Sequence, residues 1–266
     1  MNRSLRTFLA PTFAAAVFAF ATNALAAACR AESGPTTTPV FELYTSEGCD
    51  SCPPADRWFS KNFPRAAASS PIALAFHVDY WDRLGWKDRF ASARFTDRQY
   101  AAMRANGGDF VYTPQVLLQG RPFTRWEGAD PAAFAKVVSA RPARVQISVQ
   151  ASIGGSQVAI HVDARRVAAS DASPGSVYVA YTDNGLFSRV TAGENRGARL
   201  DHDHVVRALS DPLHVAGDGS LHADLALPLP TERGAAPSVV AWMQDDRSGE
   251  ILQAVSVPLA DCVPSH

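Results

Sequence analysis

Charge to spare is what this chain has least of. Its 25 basic and 26 acidic residues nearly cancel, leaving a formal net charge of −1. With no basic stripe to neutralise phosphates, no nucleic-acid partner is expected. Apolar runs of membrane length are missing too. The longest candidate, from about Phe8 to Ala21, is interrupted by Pro11, and a spanning helix needs about 20 apolar residues. No later stretch comes near that length, so no membrane span is expected. There is no internal repeat and no long linker. Cysteine is held to four residues, Cys29, Cys49, Cys52 and Cys262, and methionine to three. A site of soft metal ligands would have few donors, and no cofactor is expected.

What is present begins with an export signal. Arg3 and Arg6 precede the apolar stretch, and Ala24-Leu25-Ala26 supplies small residues for cleavage. Residues 1–26 therefore read as a signal peptide, and the mature protein as periplasmic or secreted. Removing Arg3 and Arg6 leaves 23 basic against 26 acidic residues, a formal charge of −3. Cys29 follows Ala26-Ala27-Ala28, without the leucine usual in a lipidation signal. All four cysteines lie beyond the cleavage position, where disulfides persist. Cys49 and Cys52 are close in sequence. Cys29 and Cys262 sit near opposite ends of the mature chain, and the termini of compact domains often meet. A structural bridge from Cys29 to Cys262 is expected.

Hydrophobic patterning changes along the mature chain. From Val40 to about Ala140 short apolar runs alternate with helical spacing, whereas beyond Arg144 strand patterns follow almost without interruption. Val40 to Tyr44 reads as a strand, and a helix starting near Pro54 carries Ala55, Trp58, Phe59 and Phe63 on one face. Ile72 to Val78 is an apolar run broken by His77, which suits a strand buried on both faces of a parallel sheet. Thr96 and Gln99 form a capping box, with Gly107-Gly108 as the stop. Val116 to Leu118 adds a strand and Asp130-Pro131 caps a last helix. Further on, seven strands are spaced between Val145 and Val257, with turns such as Asn184-Gly185 between them. The expected fold is an α/β domain over residues 38–142, followed by an all-β, sandwich-like domain over residues 143–262.

A Cys-x-x-Cys after the first of these strands is the sequence mark of a thioredoxin-like redox motif. The run Tyr44-Thr45-Ser46-Glu47-Gly48-Cys49-Asp50-Ser51-Cys52 resembles the active-site loop of thioredoxins and glutaredoxins. Thr113-Pro114 precedes a strand, where that superfamily places a cis-proline facing the cysteines. Phe41 to Asp56, His77 to Trp81 and Tyr112 to Val116 also resemble a family of secreted bacterial proteins containing a domain of unknown function. That likeness continues through Gly193-Glu194-Asn195, His202 to Arg207 and Val240 to Asp245. The resemblance implies a thioredoxin-like fold and export. It makes Cys49 the exposed nucleophile, Cys52 the resolving thiol, and Pro114 and Thr113 part of the site.

Exchange starts with thiolate attack on a disulfide sulfur, so the thiolate population governs it. Pro53-Pro54 delays the helix and lowers the help its dipole gives Cys49. Glu47 and Asp50 place negative charge near the developing thiolate. The expected activity is that of an exported thiol-disulfide oxidoreductase acting on protein or small-molecule thiols and disulfides. The alternatives are a thioredoxin-fold binding protein with a structural disulfide, and a copper-handling protein. Trp81, with Tyr80, Trp86 and Phe90, would either line a groove for an extended peptide or belong to the core. Glu42 lies one residue off the thioredoxin relay position and is left out of the catalytic set. His77 reads as a core histidine. Asp201-His202-Asp203-His204, with His214 and His222, is a weak metal pattern that reads better as a solvated edge, so no metal site is assigned.

Overall fold

A computed structural model describes residues 29–65, 71–168 and 173–262; the expected signal peptide, residues 1–26, lies outside them. The chain runs through β1 (Cys29–Glu32), β2 (Val40–Thr45), α1 (Pro53–Asn62), β3 (Ile72–His77), α2 (Ala93–Ala105), β4 (Gln115–Leu118), β5 (Arg121–Pro122) and α3 (Pro131–Ser139). Strands follow: β6 (Val145–Gly154), β7 (Gln157–Arg166), β8 (Gly175–Asn184), β9 (Leu186–Arg189), β10 (Arg199–His202), β11 (Val205–Leu209), β12 (Leu213–His214), β13 (Ser220–Pro228), β14 (Ala235–Asp245) and β15 (Ile251–Pro258).

Local chemistry accounts for the helix limits. Pro53 opens α1 at the turn where its missing N–H costs nothing. Ser92, rather than Thr96, caps α2, its side chain accepting the Arg94 N–H. Thr96 Oγ1 instead donates to Asp79 at 2.6 Å. Gly107 ends the helix in a left-handed conformation (φ 68°), which lets the Gly108 N–H reach Met103 O at 3.0 Å. Asp130 caps α3.

The expected α/β thioredoxin-like domain followed by a sandwich is corrected by the sheet topology. The protein is mostly strand, with three α-helices among the described residues. Its main sheet has nine strands and crosses the expected boundary, in the order β15-β14-β8-β11-β3-β2-β4-β5, with β12 on β8. The join is β3. Buried along its whole length, it pairs with β2 in parallel on one side and with β11, also in parallel, on the other, where Val205 faces Ala75. An apolar strand covered on both faces cannot leave its edge open without stranding buried backbone groups. In this protein a strand about 130 residues later closes that edge. A second sheet, β1-β6-β7-β13, packs its apolar face on β8, β14 and β15, and β1 from the N-terminal end belongs to it. Cys29 on β1 is bonded to Cys262, with Cα atoms 5.5 Å apart.

Alternation along β2 divides its neighbours. Phe41 and Leu43 join Ala55, Phe59 and Phe63 on the α1 side. Tyr44 packs with Phe76 and Phe95 on the α2 side. Glu42 faces that second side, and its carboxylate accepts two bonds from Arg98, at 2.9 and 2.6 Å. The Arg98 guanidinium lies over the rings of Phe76, Tyr178 and Trp242.

Candidate functional site

The C-terminal end of β2 delivers Thr45 to Cys52 to the end of the central strands, and Cys49 and Cys52 form a disulfide there. Cys52 is the N-cap of α1, so Cys49 stands four positions ahead of the first helical residue, Pro53. Both cysteines are fully buried, while Asp50 and Ser51 between them are exposed. The exposure that the resemblance implies for Cys49 is therefore not found.

The cover comes from the second half of the chain. Asn195 Nδ2 donates to Glu47 O at 2.9 Å and to Cys49 O at 2.8 Å. The Asp50 N–H donates to Glu194 Oε2 at 3.1 Å. Gly193, left-handed at φ 72°, brings this loop against Trp86. From the other side Trp81 presses on Gly48, where an added Cβ would stand 3.0 Å from the Trp81 Cβ. Its Nε1 donates to Thr113 Oγ1 at 2.7 Å. Trp81 thus ties the cysteine loop to Thr113, and the Thr113–Pro114 peptide bond is cis. Trp81, Thr113 and Pro114 are each partly buried.

Beneath the loop lies an array of titratable groups. Glu47, expected near the thiolate, turns inward and is fully buried. It accepts the Trp86 Nε1–H at 2.8 Å and lies 3.1 Å from His202 Nε2. Its N–H donates to Asp88 Oδ2 at 2.9 Å, and the same oxygen accepts from His77 Nδ1 at 2.7 Å. The His77 and His202 rings stand edge to face, 4.9 Å between centroids. Each keeps one buried nitrogen, His77 Nε2 and His202 Nδ1, without a hydrogen-bond partner. Asp56, one turn into α1, accepts from Thr45 Oγ1 at 3.2 Å. Burial pushes its carboxyl up, and nearby His202 and His77 offset this only in part. Burial alone would depress His77, but Asp88 outweighs it and raises the imidazole to about 9. Burial likewise disfavours the Asp88 carboxylate, yet His77 holds it below its usual value.

The weak metal pattern is dispersed. His202 joins Glu47, His204 Nε2 lies 3.3 Å from Phe63 O, His214 meets Ser176, and His222 meets Asp163 on the smaller sheet. Asp88, Asp56, Glu194, Asn195 and His202 were not singled out as site residues from the sequence. Asp56, Glu194, Asn195 and His202 fell inside the segments carrying the family resemblance, and His202 also stood in the weak metal pattern, but nothing local tied any of them to the cysteines.

Residues 40–244 match the family model described as "Protein of unknown function (DUF1223)". The chain belongs to the DUF1223 family. That match does not place it in the thioredoxin-like superfamily. An X-ray crystal structure of a protein from Agrobacterium tumefaciens is similar over 88% of this chain and 100% of its own, at 27% identity and a TM-score of 0.57. HBP35 of Porphyromonas gingivalis shares the fold at 16% identity and a TM-score of 0.62, over 84% of this chain and 76% of its own. Among curated proteins none matches. The cysteine loop, the 193–195 cover and His202 all fall inside the DUF1223 match.

The His77–Asp88 pair sets a pH dependence. An unfolded imidazole has a pKa near 6.5 and the folded one about 9. The stabilisation is therefore complete below pH 6.5 and is lost as pH rises toward 9. A shift of this size corresponds to about 3 kcal/mol. Urea unfolding between pH 6 and 9.5 should show stability falling across this window, and Asp88→Asn should flatten the fall. An unchanged slope in the variant would refute the pairing as its source.

Proposed function

We propose that this protein is an exported thiol-disulfide oxidoreductase whose reactive pair is Cys49 and Cys52, acting on protein or small-molecule thiols and disulfides in the periplasm or outside the cell. The observation that carries the reading is a short-loop disulfide set over a buried acid-base array. In the chain-entropy account, a bridge closing four residues contributes about 2 kcal/mol, against about 5 kcal/mol for one closing more than 200. Cys29–Cys262 spans 233 positions and Cys49–Cys52 only 3. As a staple the second bridge adds little, yet Glu47, Asp56, His77, Asp88 and His202 are gathered behind it. Perturbed titratable groups concentrate where proton movement is needed.

In this reading Cys49 is the attacking thiol, because the exposed Asp50 and Ser51 adjoin it. Cys52, at the head of α1, resolves the mixed disulfide. The 193–195 loop opens to admit a partner, while Trp81, Thr113 and Pro114 frame the loop's other flank. A second reading, a permanently closed structural disulfide, is favoured by the complete burial of both sulfurs.

Equilibration in a glutathione series distinguishes them. A turnover site should titrate above about −300 mV, with exchange proteins lying at about −120 to −270 mV, whereas a potential below about −300 mV marks an inert bridge.

A further inference from the structure

We infer that Asp56, its carboxyl held by Thr45 Oγ1, is the proton acceptor for Cys52 when that thiol resolves a mixed disulfide. The inference rests on the exchange reading above and names the residue that serves it. Asp56 lies four residues after Cys52 on the same helix, and its N–H donates to Cys52 O at 3.2 Å. Helical side chains at i and i+4 share a face, and each leans back over the preceding turn. The carboxyl of Asp56 is thus carried toward the turn that begins at Cys52, on the side where both residues are buried.

The groups facing Asp56 come from four other places in the chain. Thr45 at the end of β2 donates to Oδ2. His77 on β3 and His202 on β10 act on it as charges, and Asp88, in the segment before α2, opposes its ionisation. Glu47 shares His202 and, through its N–H, Asp88. Partly withheld from ionisation by burial, the carboxyl moves toward the pH at which it can both take and return a proton. The two unpartnered ring nitrogens, His77 Nε2 and His202 Nδ1, leave room in this array for a change of protonation without breaking an existing bond.

The step balances without any further reactant. In the mixed disulfide between Cys49 and a substrate sulfur, the Cys52 thiol gives its proton to the Asp56 carboxylate. The Cys52 sulfur then attacks the Cys49 sulfur, the Cys49–Cys52 bond forms, and the bond to the substrate breaks. The substrate leaves as a thiolate with the bonding electron pair. Reduction of the protein runs the same step backwards, with Asp56 returning the proton to Cys52.

The test uses the full mature chain. The reduced protein is loaded at Cys49 by exchange with glutathione disulfide, which releases one glutathione thiolate, and release of the second glutathione as Cys52 attacks is followed against pH for wild type, Asp56→Asn and Asp56→Glu. Asp56→Asn should slow release at least tenfold near pH 7 and remove the lower inflection of the pH profile, while loading changes less than about twofold. General acid-base groups contribute factors of roughly 10² to 10⁴, so the effect should be plain. Asp56→Glu should recover part of the rate. Equal slowing of loading and release would show that Asp56 only supports the loop. An Asp56→Asn profile like wild type would overturn the inference and leave the exchange reading standing. A wild-type protein that never loads would overturn both. Far-ultraviolet circular dichroism and urea midpoints confirm that each variant is folded.

Discussion

Mixed with a small disulfide, reduced Cys52→Ser protein is expected to stop as a stable mixed disulfide on Cys49, and Cys49→Ser to lose exchange altogether. The asymmetry follows from where each sulfur sits. Cys49 adjoins the exposed Asp50 and Ser51, with Ser51 Oγ 3.4 Å from its Sγ. Cys52 caps α1 and is backed by Ala55 and Asp56, both buried. Opening the loop therefore exposes Cys49 first. The barrier to opening includes the two bonds from Asn195 to the carbonyls of Glu47 and Cys49. At a net 0.5–1.5 kcal/mol each, their loss in Asn195→Ala should speed reduction of the disulfide by dithiothreitol roughly tenfold. Mass spectrometry of the trapped adduct and reduction kinetics check both parts. An adduct on Cys52 would reverse the assigned order. An Asn195→Ala rate equal to wild type would show that the 193–195 loop is no barrier.

Glu42→Ala should destabilise the fold by about 3–5 kcal/mol, the cost of leaving a buried charge without its partner. Arg98 is buried with Glu42, their side chains 8% and 1% exposed. Burial works against the guanidinium, but Glu42 and the surrounding groups hold its pKa above the ordinary arginine value, so it cannot escape by losing its proton. Three ring faces and Gln244, at 3.1 Å, would remain around it. Cation–π contacts contribute about 0.5–2 kcal/mol each and do not replace a two-bond carboxylate. Replacing both partners, as in Glu42→Leu with Arg98→Met, should recover much of the loss, because the pair's desolvation then disappears. Urea unfolding of the single and double variants decides it. A single-variant loss under about 1 kcal/mol would mean that the aromatic faces alone hold the cation.

The cysteine pair was plain from local pattern, but the partners of Cys49 and of Glu42 were not. Alternation placed Glu42 on the face opposite Phe41 and Leu43, which is where it lies, but an arginine 56 residues away has no signature in β2. His77 read as a core histidine, and it is buried; its charge comes from Asp88, in a segment without periodicity. The short strands β9 and β10 also went unread, since LFSR and RLDH offer little apolar alternation. Their pairing brings His202 to Glu47, and the turn between them carries Glu194 and Asn195.

By itself the sequence determined what local forces decide: the caps at Asp130 and Gly107, the alternation in β6, β7 and β13, the apolar run of β3, and the cysteine pair at the end of β2. Features that depend on pairing at long range came from the folded chain. Strand period says that β3 is buried on both faces, but not that its open edge belongs to β11. Any strand of suitable pattern can satisfy a backbone edge, and the choice is made by the packing of the whole sheet. That one pairing merges two expected domains into a common nine-stranded sheet. It also sets the strand next to His202 beside β3, so that residues more than 140 positions away cover Cys49 and complete the array behind Cys52.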